Sequence, residues 1–106
     1  MIMSFSDAQH DVDQWTSRFE PQYWQPHEIL ARLTEEVGEL AREINHRYGP
    51  KRKKTSETER ALSDEIADVF FTLICLANSE RIDLDEAWAR TMKKAETRDG
   101  NRFEKR

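Results

Sequence analysis

A chain of 106 residues is long enough for one domain, and a net charge of −4 with 36% charged residues excludes nonspecific nucleic-acid binding through a basic face. Three Gly and three Pro argue against a turn-rich sheet protein and favour an all-α fold. The single Cys, Cys75, excludes an intrachain disulfide and fits a reducing compartment, so a soluble cytoplasmic protein is expected.

The opening "MIMSFSDAQH" has neither the basic region nor the apolar core of a secretory signal. Val12, Trp15 and Phe19 mark an amphipathic helix over 6–19, with Ser6 as its N-cap. "EPQYWQP" interrupts it, because Pro21 and Pro26 lack backbone donors. Pro26 opens a second helix to about His46 or Arg47, and Gly49-Pro50 closes it. Along it Leu30, Leu33, Val37, Leu40 and Ile44 recur at spacings of three and four, which predicts a core-facing stripe. "KRKKTSETE" is a polar connection. Ser56 and Glu59 then form a capping box for a third helix over about 57–80. Asp83 and Glu86 form another box, with Ile82 and Ala87 as a staple, starting a fourth helix at "LDEAWARTMKKAETR". The whole chain, 1–106, reads as one domain, with an N-terminal helix and linker over 1–24 and a flexible tail over 99–106. The longest nearly apolar run, "VFFTLICLA" at 69–77, is about half the ~20 residues a membrane span needs, so no membrane partner is expected.

On a helical wheel, Leu62, Ile66, Val69, Leu73 and Leu76 share one face of the third helix. Phe71 and Cys75 lie outside it, on the side that carries Glu65 and Asp68. Such a helix is apolar on two sides, as a central or interface helix must be. A partner subunit or another helix is therefore expected over the carboxylate side.

Two acidic clusters flank these apolar faces. Glu36 and Glu39 are neighbours at i,i+3 on the second helix, and Glu65 and Asp68 repeat that spacing on the third. If the two pairs converge, each like-charge contact near 4 Å repels by about 4 kcal/mol at an effective dielectric near 20. A divalent cation turns that repulsion into attraction. Glu and Asp offer hard oxygen ligands suited to Mg²⁺ or Mn²⁺. A di-iron bundle would add Glu-x-x-His pairs, and His10, His27 and His46 are not placed to supply them. A hard metal site without His points to phosphate chemistry.

"EEVGEL" followed by "DEIADV" resembles the MazG-type nucleotide pyrophosphohydrolases of the all-α NTP pyrophosphatase group. Their E-x-x-E and E-x-x-D signature reads here as Glu36-x-x-Glu39, 25 intervening residues, then Glu65-x-x-Asp68. The resemblance runs from about Trp24 to Arg98. It implies a four-helix subunit in a homodimer or homotetramer. It also implies Mg²⁺-dependent cleavage of a nucleoside triphosphate between its α and β phosphates, with Mn²⁺ as a substitute metal. Cleaning the pool of noncanonical nucleotides, or controlling nucleotide levels, is the purpose the family suggests.

The resemblance also carries individual residues. Glu36, Glu39, Glu65 and Asp68 would hold the metal, which neutralises the triphosphate and lowers the pKa of an attacking water. Glu35, about 100° around the helix from Glu36, either positions that water or is solvated. Lys94 and Arg98, at i,i+4, match a Lys-x-x-x-Arg element that meets the far phosphates, although Ala95 stands where many relatives carry an aromatic or Asn. The alternative is that the two cations complement a helix C-terminus. Asn78 is a sugar contact or a helix cap, and Trp24 and Tyr23 lie near the base or in the core. Trp15 and Trp88 read as packing residues. The basic run 51–54 is a phosphate lid or a solvated linker. Two other functions remain open at this point: a hydrolase of another pyrophosphate-containing nucleotide, and a noncatalytic helical interaction module.

Overall fold

Local capping chemistry decides where the helices begin and end. The structure, a computed structural model, describes residues 3–50 and 61–106. In them α1 spans Phe5–Thr16, α2 Pro26–Tyr48, α3 Leu62–Ser79 and α4 Leu84–Asp99, with no strand among the described residues. The all-α expectation holds.

The start of α1 is capped by Ser4, not Ser6. The Ser4 hydroxyl accepts the Asp7 N–H at 3.1 Å, and the Asp7 carboxylate accepts the Ser4 N–H at 3.0 Å. Ser6 instead reaches α4: its Oγ donates to Asp85 Oδ2 at 2.6 Å, and the Phe5 and Ser6 N–H groups donate to the same carboxylate. One Asp side chain thus fills two of the open donors of a helix 79 residues away. α1 stops at Thr16, three residues earlier than the pattern predicts, where the Thr16 hydroxyl turns back onto the Val12 carbonyl.

α2 starts at Pro26 as expected, with the Glu28 carboxylate accepting the Gln25 N–H. It ends at Gly49, where an added Cβ would lie 2.5 Å from the Asn45 carbonyl oxygen. Close approach, not an unusual backbone angle, explains that glycine. α3 begins at Leu62 behind an extended Ala61, later than the predicted 57. The Ser56–Glu59 box and the basic run 51–54 lie outside the described residues. α3 closes with Arg81 at φ 56°, where the Ile82 N–H reaches the Ala77 carbonyl at 2.8 Å and the Arg81 N–H reaches Asn78. Asp83 caps α4 as predicted, accepting from the Asp85 and Glu86 N–H groups.

α3 is the central element: it packs along α2 and against α1, while α4 packs chiefly on α1. Its two-sided character follows. Glu65 and Thr72 are buried on one side, Ile74 and Ala77 on another.

The apolar stripe of α2 departs from expectation. The buried positions are Ile29, Glu36 and Glu43, seven apart. They lie about 80° around the helix from the centre of the Leu30/Leu33/Val37/Leu40/Ile44 stripe. Leu30 is 56% exposed and Val37 47%, and Ile44 is exposed as well. On α3, Ile66 and Leu73 are likewise exposed. The two helices turn their carboxylate-bearing faces inward and leave apolar faces outside. Periodicity identifies a face that avoids water; it does not identify what covers it. The radius of gyration is 17.3 Å, against about 13 Å for a compact chain of this length. The chain is open.

Candidate metal centre and adjoining cavity

The site starts from the heptad spacing of α2. Because Glu36 lies seven residues after the buried Ile29, it shares its inward face and is only 6% exposed. From α3, Glu65 at 2% exposure and the half-buried Asp68 meet it. One carboxylate oxygen of each of the three lies within 4.8 Å of the others. At that spacing each ionised pair repels by roughly 3–4 kcal/mol at an effective dielectric near 20.

The donor set fits a hard divalent cation. It consists of carboxylate oxygens from two helices, with neither imidazole nor thiolate among them. Arg32, one turn before Glu36, places Nη2 2.7 Å from Glu36 Oε1 and Nη1 3.8 Å from Glu35 Oε2. The Thr72 hydroxyl donates to the Asp68 carbonyl at 3.1 Å, which ties the turn that carries Asp68.

A cavity of about 590 Å³ opens beside the carboxylates. Glu36, Asp68 and Arg32 are among the residues that line it. Trp15 from the end of α1, Phe19 and Trp24 from the α1–α2 linker and Phe71 from α3 form an aromatic wall. Trp15 stands 5.0 Å from Phe19 and 6.0 Å from Phe71, ring to ring, the latter edge-on. Cys75 also lines the cavity, and burial pushes its thiol above the ordinary range, so it stays protonated at neutral pH.

The expected site residues therefore separate. Glu36, Glu65 and Asp68 come together, and Trp24 reaches the cavity next to them. Glu39, one turn beyond Glu36, is exposed and outside the three-carboxylate group, and Glu35 is exposed beside Arg32. Lys94 and Arg98 are exposed on α4 and do not line the cavity.

Asn78 is engaged elsewhere. Its amide donates to the Gln9 carbonyl and to the Tyr23 hydroxyl, and its oxygen accepts from Gln9 Nε2. Tyr23 in turn donates to Asp13 at 2.8 Å. Burial pushes the Tyr23 phenol above its ordinary range, and the Asp13 carboxylate adds to the shift. This network pins the linker to α1 and α3, and so sets the aromatic wall.

Sequence reasoning missed Arg32 and the wall residues Trp15, Phe19 and Phe71. Arg32-x-x-x-Glu36 is an i,i+4 ion-pair spacing and was a usable signal. Trp15 packs as its sequence position predicts, but at 48% exposure it also lines the cavity.

Residues 24–103 match the family model of the MazG nucleotide pyrophosphohydrolase domain. The chain is 50% identical over 100 residues to the protein YpjD of Bacillus subtilis (strain 168), covering 94% of this chain and 90% of that protein. The crystal structure of YPJD from Bacillus subtilis superposes with a TM-score of 0.79 at 49% identity, covering 89% of this chain and 96% of that one. A second crystal structure, of the Bacillus-conserved MazG protein, a nucleotide pyrophosphohydrolase, gives 0.79 at 44% identity over 92% and 95%.

Proposed function

This chain belongs to the MazG nucleotide pyrophosphohydrolase family, and from that premise we propose that it hydrolyses a nucleoside or deoxynucleoside triphosphate between the α and β phosphates, releasing a monophosphate and pyrophosphate. The observation that carries the reading is the meeting of Glu36, Glu65 and Asp68, two of which, Glu36 and Asp68, line a cavity shared with Trp15, Phe19, Trp24 and Phe71. Charge and stacking surface are what a nucleotide presents at its two ends.

Glu36, Glu65 and Asp68 hold Mg²⁺, and Glu39 closes the solvent side of the ligand set from the next turn of α2. Bound there, Mg²⁺ supplies neutralisation of the triphosphate charge and a water of lowered pKa. The buried α2–α3 contact keeps the carboxylates at fixed separation, so their geometry is in place before substrate arrives. Trp15, Phe19, Trp24 and Phe71 offer the base a stacking surface, a contact type worth about 1–3 kcal/mol per base.

The active form is a homodimer or homotetramer. Its support is the pair of exposed apolar faces on α2 and α3, together with Trp88 and Met92 on α4. A second copy of the chain has the apolar stripes needed to cover them. In that assembly Lys94 and Arg98 reach the far phosphates from a neighbouring subunit, which accounts for their position outside this subunit's own cavity.

The test is pyrophosphate release from a panel of canonical and modified NTPs and dNTPs in Mg²⁺, Mn²⁺ or EDTA. Metal-dependent release of pyrophosphate with the monophosphate, lost in folded Glu36→Gln and Asp68→Asn, supports the reading. Release of another product pair from a different pyrophosphate-containing nucleotide, with the triphosphates untouched, overturns the substrate assignment. Glu35→Gln separates its two roles: a fall in kcat at unchanged Mn²⁺ affinity assigns it the water, and unchanged kcat assigns it to solvent.

A further inference from the structure

Arg32 is placed where two requirements of the site conflict. Glu36 is buried, and a buried carboxylate without a metal needs a compensating charge. Arg32 supplies it: Nη2 lies 2.7 Å from Glu36 Oε1, a short charge-assisted contact, along one turn of the same helix. Yet Glu36 is also one of three carboxylates whose oxygens crowd within 4.8 Å. A divalent cation among those oxygens would stand beside the guanidinium, and two like charges drawn to one carboxylate repel each other at that range.

The surroundings give the guanidinium somewhere to go. Arg32 is half exposed, and it lines the same cavity that holds the aromatic wall. Its stem is long and unbranched, so a change of rotamer moves the head group into the cavity with α2 unchanged. A planar fork of donors there suits the oxygens of a phosphoryl group.

We propose that Arg32 is the counterion of Glu36 in the metal-free protein, that a divalent cation displaces it, and that the released guanidinium binds a phosphate oxygen of the nucleotide. The proposal rests on the metal-site reading above. It makes metal and nucleotide binding cooperative: the metal frees a substrate-binding group, and by linkage the nucleotide favours the metal. Arg32 is then a positioning residue for Glu36 in one state and a substrate contact in the other.

The experiment uses the full chain and metal alone first. Nitrogen-15 NMR of the Arg32 side chain should give resolved, slowly rotating guanidinium signals without metal and averaged signals with saturating Mg²⁺. Mn²⁺ titration followed by electron paramagnetic resonance should show Arg32→Gln binding the ion about tenfold more tightly than the native chain. With Mg²⁺ present, binding of a non-hydrolysable α,β-methylene triphosphate should weaken about tenfold in Arg32→Gln, and Arg32→Lys should recover part of it. Opposite signs for the two ligands mark the exchange. Weakening of both in Arg32→Gln overturns the proposal and makes Arg32 a structural pair. Mn²⁺ binding that leaves the guanidinium signals unchanged overturns it alone. No saturable Mn²⁺ binding by the native chain overturns the metal reading, and the proposal with it.

Discussion

Asn78 on α3 and Gln9 on α1 exchange hydrogen bonds: Gln9 Nε2 donates to Asn78 Oδ1 at 2.9 Å, and Asn78 Nδ2 returns one to the Gln9 carbonyl at 2.9 Å. Gln9 also takes the Leu84 N–H and donates to the Ile82 carbonyl, so the pair joins α1, α3 and the start of α4. Asn78→Ala leaves these groups and the Tyr23 hydroxyl short of a partner at once. The expected cost is about 2 kcal/mol, read as a lower midpoint in urea unfolding. Because the amide is already occupied, nucleotide KM should change much less than stability. A KM rise with unaltered stability would restore Asn78 to the sugar contact that its family resemblance implies.

Asp85 predicts a pH dependence. The Ser6 hydroxyl bond first, and then the Ser6 and Phe5 N–H bonds, hold its carboxyl below the ordinary aspartate range. The folded pKa is therefore lower than the unfolded one. The stabilisation is fully present above the unfolded value and is lost as the pH falls through the folded one. Asp85→Asn should lower the thermal midpoint at neutral pH and flatten its decline in the acid range. Native and variant curves that stay parallel down to the acid limit would remove Asp85 from the account.

Arg81 stands in the left-handed region at φ 56°, at the position that ends α3 with the Ile82-to-Ala77 and Arg81-to-Asn78 bonds. Glycine reaches that conformation without the Cβ conflict. Arg81 is exposed, so little packing is lost on replacement. Arg81→Gly should stabilise the chain by up to about 1 kcal/mol. Arg81→Val, which stiffens the backbone further, should destabilise it; calorimetry of the two variants gives the sign.

Much of this architecture was legible in the chain. Pro26, Gly49 and Asp83 mark helix ends through chemistry within a few residues, which needs no distant partner. The two acidic motifs mark four carboxylates, of which Glu36, Glu65 and Asp68 come together while Glu39 stays exposed one turn away. Direction was harder. The stripe through Leu30, Val37 and Ile44 reads as the core of a single chain, whereas the inward face carries Ile29, Glu36 and Glu43. Ser6 has the chemistry of an N-cap, but Asp85 claims it from a helix far along the chain, and only folding brings them together. Trp15 and Phe19 join Trp24 and Phe71 for the same reason: four aromatics from three segments form a wall that no local pattern announces.

Glu65 separates the cost of the site from its use. Its carboxylate is nearly inaccessible, at 2% exposure, and lies in the crowded group with Glu36 and Asp68. Glu65→Gln keeps the shape and removes one charge from that group. In EDTA the two should lie within about 1 kcal/mol of each other, because relief of the repulsion offsets the contacts the charged carboxylate gives up. In Mg²⁺ the native chain should pull ahead: it gains stability from the bound ion and the variant gains little. Thermal unfolding with and without metal decides the matter, with no substrate needed. A gap between the two that is the same in both buffers would show that Glu65 supports the α2–α3 contact and holds no metal.

The outward apolar faces give the last expectation. Val37 on α2 and Leu73 on α3 are exposed at 47% and 40%, and neither lines the cavity. If a second copy covers them, each loses apolar surface worth about 1–2 kcal/mol on assembly. Val37→Lys with Leu73→Lys would then place a like charge in every copy of a two-fold interface, an arrangement that is penalised twice. Sedimentation of the double variant should show a shift toward the 12.6 kDa monomer. Circular dichroism should keep its helical signal at low temperature while the thermal midpoint falls. Activity should fall with the assembly if Lys94 and Arg98 act across subunits. Adding chain with Lys94→Ala and Arg98→Ala, intact at both interface positions, tests that supply: mixtures with native protein should lose activity in proportion to mixed assemblies. An unshifted sedimentation coefficient for the double lysine variant would place the subunit contact on another face, with α4 and its Trp88 and Met92 the next surface to change.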